Sequence, residues 1–259
     1  MKTEGRNDGR LTEGSPPPSV IFPSFRLTVD CRPSTLFRKE HLLPSYCDLA
    51  PGHEWHGPYH DTEYGFPLRS DAELFERLML EINQAGLSWL TILKKREAFR
   101  RAYDGFDPAK VARYGARERR RLLADAGIIR NRLKVEAAIA NAKAVLTLGK
   151  SHGSFAGWLE EKTWTDGRTE GRKEGGKAKG RSGGRAVGGR RRRTKEEWVA
   201  LFKQTFRFTG GEIVGEFLVS TGFLPGAHVP ECPVYATIVR LKPAWSREPG
   251  SWGAGEYFE

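Results

Sequence analysis

An all-α fold is predicted by three features of the chain: apolar residues recurring at helical spacing, cap residues at the starts of those runs, and no convincing alternating strand. The first run opens at Ser70, where Ser70 and Glu73 have capping-box spacing and Leu74, Leu78 and Ala85 share one face. Gly86 ends it, and Ser88 caps a second helix with Trp89, Ile92, Leu93, Phe99 and Tyr103 as its apolar positions. Asp107 followed by Pro108 starts a third. Further helices are expected near Arg117–Ala126, Arg132–Leu148 and Phe155–Lys162, separated by Gly127 and by Gly149–Gly153. Thr194 and Glu197 form another capping box ahead of Trp198, Leu201 and Phe202. A tight turn at Phe206–Gly211 then leads into Ile213, Val214, Phe217 and Leu218, ending at Gly222.

The 259 residues exceed what the helical pattern uses. Residues 1–46 are rich in Gly, Pro, Ser and charge and are expected to be a disordered leader. Residues 165–193 read as a basic Gly/Arg/Lys-rich disordered insertion between a first folded part, 47–164, and a second, 194–235. Residues 236–259 are expected to be a flexible tail. Hydrophobic content of 38%, with seven Trp and fourteen Phe, is enough for one buried core.

The net charge of +11 points to an anionic partner, but its location qualifies that inference. Twelve Lys and Arg against three acids between Thr165 and Lys195 account for most of it. Any nucleic-acid contact by the folded parts must therefore come from local charges and helix ends. Three scattered cysteines exclude a disulfide scaffold and suit a reducing compartment or metal ligation. No run approaches the ~18–20 apolar residues of a membrane span, so no membrane partner is expected.

Glu81 is the most informative residue, because its spacing from Leu74 and Leu78 puts a carboxylate on an apolar face. Such a group must be paired, protonated or exposed in a cavity. Either a helix-edge Glu paired with a nearby Arg or a site carboxylate satisfies that requirement.

The run from Asn83 to Glu97, NQAGLSWLTILKKRE, closely resembles the signature of the DNA-3-methyladenine glycosylase I family. The similarity continues through Asp125–Arg132 and begins earlier with Tyr59-His60-Asp61 and Gly65-Phe66-Pro67, covering roughly residues 47–235. It implies a helix-hairpin-helix glycosylase domain acting as a monomer on double-stranded alkylated DNA. The base would be flipped out and held by Glu81, Tyr59 and Trp89, with Glu81 catalytic. N3-methyladenine is cationic, so electron-rich rings and a carboxylate suit it. A core role for Trp89 is the alternative.

The same resemblance assigns Cys47, His60, His228 and Cys232 to one structural zinc ion joining the N- and C-terminal segments, a donor set that suits a closed tetrahedral site. Reduced thiols beside incidental histidines, or a Cys47–Cys232 disulfide, are the alternatives. It further implies that Gln84, Gly86 and Leu87 fill the gap left by the flipped base. Thr209, Gly210 and Gly211 would hold a phosphate at a helix N-terminus. Plain turns between helices are the alternatives, and Glu212 adds negative charge where an anion would approach. Leu49 and Tyr64 stand where bacterial members usually carry tryptophan, and His56 where tyrosine is common. With no lysine in a nucleophile position, hydrolysis to an abasic site is expected. A non-catalytic nucleic-acid binder and a zinc-dependent interaction module are the competing classes.

Overall fold

The computed structural model describes residues 44–166 and 190–248. The expectations for 1–43, 167–189 and 249–259 lie outside the described residues. Helices come in the order α1 (Tyr46–Leu49), α2 (His56–Thr62), α3 (Asp71–Gln84), α4 (Trp89–Ala102), α5 (Pro108–Val111), α6 (Ala116–Ala124), α7 (Arg132–His152), α8 (Phe155–Thr163), α9 (Lys195–Thr205), α10 (Gly211–Ser220) and α11 (Pro233–Arg240). The fold is mostly helical.

Local cap chemistry sets most of the helix starts. Ser88 accepts from the Thr91 amide, Asp107 from the Ala109 and Lys110 amides, and Asn131 from the Lys134 amide. Thr194 and Glu197 form the reciprocal capping box. Each side chain satisfies a backbone donor that the first turn leaves unpaired.

Helix α3 departs from its predicted character. Ser70 sits at its N-cap but makes no side-chain cap bond, and Ala85 lies beyond its last turn and is exposed. Helix α3 is the central one, with Leu74, Phe75, Leu78, Met79, Leu80 and Ile82 all essentially inaccessible. It packs against α4, α7, α8 and α10. Asp71 caps a different helix, accepting from the Phe155 and Ala156 amides at the start of α8.

Two segments read as irregular contribute to the fold. Trp164–Thr165 pairs antiparallel with Arg191–Arg192, a two-stranded ladder too short for periodicity to reveal. Arg191 pairs with Glu197, the Arg192 guanidinium lies 4.9 Å from the Trp164 ring centre, and Arg193 is buried and donates to the Lys162 carbonyl. The basic run is therefore partly an anchor for α9. The expected flexible tail is also corrected over 236–248. Pro233 opens α11, Ile238 is buried, and Tyr235 stacks with Trp245 at 6.2 Å. Gly65, at φ +82, lets this layer close, since a Cβ there would stand 2.5 Å from the Ala227 Cβ.

Helices α9 and α10 are joined by the turn at Phe206–Gly210. Asn141 of α7, fully buried, holds that turn by accepting from the Arg207 amide at 2.7 Å and donating to the Arg207 carbonyl at 3.1 Å. Asn141→Ala leaves both backbone groups without their partner and is expected to lower stability by about 2 kcal/mol. Urea unfolding checks this; a change near zero would show that the turn holds itself.

Candidate active site

A cavity of about 240 Å³ opens beside the C-terminal end of α3, lined by Tyr46, Tyr59, Tyr64, Glu81, Gln84, Trp89 and Glu216. Its walls are rings. Tyr59 lies 5.2 Å from Trp89 and 5.6 Å from Tyr64, and Tyr46 meets Tyr64 edge-on at 5.3 Å. The Trp89 indole N–H is buried without a partner among the described residues.

Glu81 is 5% exposed, so its carboxyl is largely cut off from water. Burial raises its pKa to about 8; the nearby Arg77 charge opposes this and Glu216 adds to it. The pairing alternative for Glu81 is only half realised. The Arg77 charge acts on Glu81, but its hydrogen bonds go to the Tyr59 hydroxyl at 2.7 Å, Glu63 at 3.2 Å and the Ser220 carbonyl at 3.4 Å. Arg77 also sits 4.8 Å from the Tyr59 ring centre. Glu63 is shared with Arg96, which bonds Glu76 as well, so an ionic chain supports the wall behind Tyr59.

Of the residues singled out from the sequence, Tyr59, Glu81, Gln84 and Trp89 meet in this cavity. Gly86, at φ +83, and Leu87, 42% exposed, form the turn that follows Gln84. Lys134 steadies that turn from below, donating to the Asn83 and Ala85 carbonyls at 2.9 Å. Thr209, Gly210 and Gly211 lie apart from the cavity lining, at the start of α10. Thr209 is buried, and no side chain caps the first amides of α10. Glu212 is exposed and lies 3.6 Å from Lys195.

The sequence reading missed Tyr46, Arg77 and Glu216. Glu216 sits among Ile213, Val214, Phe217 and Leu218, where a polar residue looks like an ordinary solvent-facing position. Arg77 lies one turn before Glu81 and was the nearest signal available. Among the departures, Tyr64 lines the cavity, whereas Leu49 is 62% exposed and outside it. His56 bonds the Tyr46 hydroxyl at 3.0 Å, and burial together with His53 lowers its pKa, so it is neutral at pH 7.

Next to the cavity, Cys47, His60, His228 and Cys232 converge, their ligand atoms all within 4.8 Å of one another. Sulfur-to-nitrogen distances are 3.6 Å for Cys47–His228, 3.7 Å for Cys232–His60 and 3.4 Å for Cys232–His228. Both cysteines are free thiols, so the disulfide alternative is not what the structure contains. Each imidazole is oriented through its other nitrogen, His60 by Asp61 at 2.7 Å and His228 by the Tyr64 carbonyl at 2.8 Å. The four groups can hold a metal ion.

The helical body and its ring-walled, carboxylate-backed cavity define a protein shaped to receive a flat aromatic base. A family model for methyladenine glycosylase matches residues 51–235, and the chain belongs to that family. DNA-3-methyladenine glycosylase of Haemophilus influenzae is 35% identical over 175 residues, covering 68% of this chain and 89% of that protein. DNA-3-methyladenine glycosylase 1 of Escherichia coli is 48% identical over 97 residues, 38% of this chain and 52% of that one. The solved structure of 3-methyladenine DNA glycosylase I from Staphylococcus aureus superposes with a TM-score of 0.57 at 32% identity, covering 73% of this chain and 95% of that chain. A solved complex of a variant 3-methyladenine DNA glycosylase I with 3-methyladenine gives a TM-score of 0.57 at 32% identity, with 73% and 96% covered.

The raised Glu81 pKa has a consequence for stability. Between its ordinary 4.5 and about 8 the folded protein holds a proton that the unfolded chain releases. Stability from this group is therefore complete below about 4.5 and is lost as pH rises through about 8. Thermal melts across that range are expected to show this decline in the wild type and its flattening in Glu81→Gln. Parallel curves would mean that Glu81 is hydrated in the folded state.

Proposed function

We propose that this protein is a monofunctional DNA glycosylase that takes 3-methyladenine out of alkylated duplex DNA, hydrolyses its N-glycosidic bond and leaves an abasic site. The observation that carries the reading is a buried carboxylate, Glu81, facing an aromatic cavity of base size. A cationic methylated base gains from the faces of Tyr59 and Trp89 and from the carboxylate; unmodified adenine carries no charge to reward either contact. Its arrival favours the ionised form of Glu81, so binding and deprotonation are coupled. An acceptor on the bound base would also complete the unpaired Trp89 N–H. The reading takes water as the nucleophile, since none of the described residues lining the cavity is a lysine.

The grip on DNA follows from two nearby elements. The uncapped amides at Gly210 and Gly211 suit a backbone phosphate, and Glu212 turned to Lys195 is less of an obstacle than its position in sequence implies. Gln84, Gly86 and Leu87 form an exposed turn at the cavity edge, suited to occupy the space of the extruded base. The protein acts as a monomer in this reading, since one chain supplies every group named.

One zinc ion is held by Cys47, His60, His228 and Cys232 in a reducing compartment. Zinc–sulfur bonds of about 2.3 Å and zinc–nitrogen bonds of about 2.0 Å in a tetrahedron separate S from N by roughly 3.5 Å, which the distances at this cluster support. Four protein ligands leave no open position, so the ion contributes structure and the hydrolytic chemistry belongs to the cavity.

Base release from alkylated duplex DNA, resolved by product under single-turnover conditions, tests the enzyme reading. Wild type should free 3-methyladenine, and Glu81→Gln should slow release by about a hundredfold. Binding to methylated DNA with no base release would instead indicate a nucleic-acid-binding protein. Elemental analysis should find one zinc per chain, with Cys232→Ser losing the metal and melting at lower temperature. A metal-free wild type of unchanged melting temperature would remove zinc from the account.

A further inference from the structure

The cavity contains a second carboxylate that the reading above does not use. Glu216 lines it from α10, whose Val214, Phe217 and Leu218 are buried in the core. Unlike Glu81, it is exposed, so it stands at the opening while Glu81 lies deep. Its hydrogen bond among the described residues is a long one from the Tyr64 hydroxyl, 3.5 Å. It has no ion pair among the described residues: Lys195, which lies against Gly215, reaches Glu212 instead. The Glu216 charge adds to the raised pKa of Glu81, and partial burial raises the Glu216 pKa, with Lys195 opposing and Glu212 adding to it.

A base drawn from DNA brings its sugar and phosphates behind it. The glycosidic bond must then point back to the opening, which puts the deep carboxylate against the base edge and the rim carboxylate on the sugar side. We propose that Glu216 is a further catalytic residue, the carboxylate that faces the sugar and stabilises the positive charge arising there. This rests on the glycosylase reading.

As the bond from C1′ to the base nitrogen breaks, its electron pair stays with the base, which leaves neutral. The positive charge passes to the sugar as an oxocarbenium ion, close to the negative Glu216. Water then adds its oxygen to C1′ and yields a proton to the Glu216 carboxylate, which returns it to solvent. The products are the free methylated base and an abasic hemiacetal. The raised pKa suits the second step, in which Glu216 takes the proton of water, and a single long hydrogen bond leaves the carboxylate room to face the sugar.

The test compares Glu216→Gln with wild type in single-turnover release of 3-methyladenine from alkylated duplex DNA, alongside binding of free 3-methyladenine followed by tryptophan fluorescence. The expected result is release slowed at least tenfold (about the lower range of acid–base effects) with free-base affinity within about twofold and an unchanged melting temperature. Wild-type release with an equally fast Glu216→Gln overturns the assignment. Loss of free-base affinity matching the loss of rate also overturns it, since Glu216 would then be a base-reading group. A wild type that frees no base overturns the glycosylase reading and this role with it.

Discussion

The cavity depends on the buried guanidinium of Arg77. At 2% side-chain exposure this cation must find partners inside the protein, and it finds three on two elements: Tyr59 of α2, Glu63 at the end of α2, and the Ser220 carbonyl of α10. An unpaired buried charge costs several kcal/mol, so these contacts form together. The result is that Tyr59 is held from its hydroxyl, α2 is fixed to α3, and the rim helix α10 is tied to the cavity floor. The same cation also moderates the penalty of burying Glu81, which keeps that carboxyl within reach of ionisation.

A second coupling comes from helix geometry. Successive residues on a helix point about 100° apart, so two neighbours can serve two sites. In α1, Tyr46 lines the cavity and Cys47 joins the thiol–imidazole cluster; in α2, Tyr59 and His60 do the same. Tyr64 completes the arrangement, its ring in the cavity wall and its carbonyl orienting His228. Distortion of the cluster would therefore be transmitted directly to the rings. A group that takes no part in the chemistry can still decide how well the cavity is formed.

Charge is distributed differently from what composition implies. Much of the +11 sits in the basic tract, yet Arg191, Arg192 and Arg193 act within the fold, as an ion-pair partner, a ring-stacked edge and a buried anchor. Among the described residues, the cavity lining carries two carboxylates and no cation. That contrast sets a carboxylate-lined cavity into a protein of basic overall charge.

The helix order, most helix starts and the membership of Tyr59, Glu81 and Trp89 in one site were legible in the residues and in the family signature they carry. Caps at Ser88, Asp107, Asn131 and Thr194 depend on amides two or three residues away, so the amino-acid order alone determined them. The ladder from Trp164 to Arg192 and the packing of α11 were not legible, being too short to show a period. Tertiary structure alone decided that α3 is central, that Asp71 caps α8 rather than its own helix, and that Glu216 enters the cavity from 135 residues beyond Glu81. The reason is physical: local order fixes which backbone groups a side chain can reach, whereas burial and convergence of charge exist only once distant helices exclude water together.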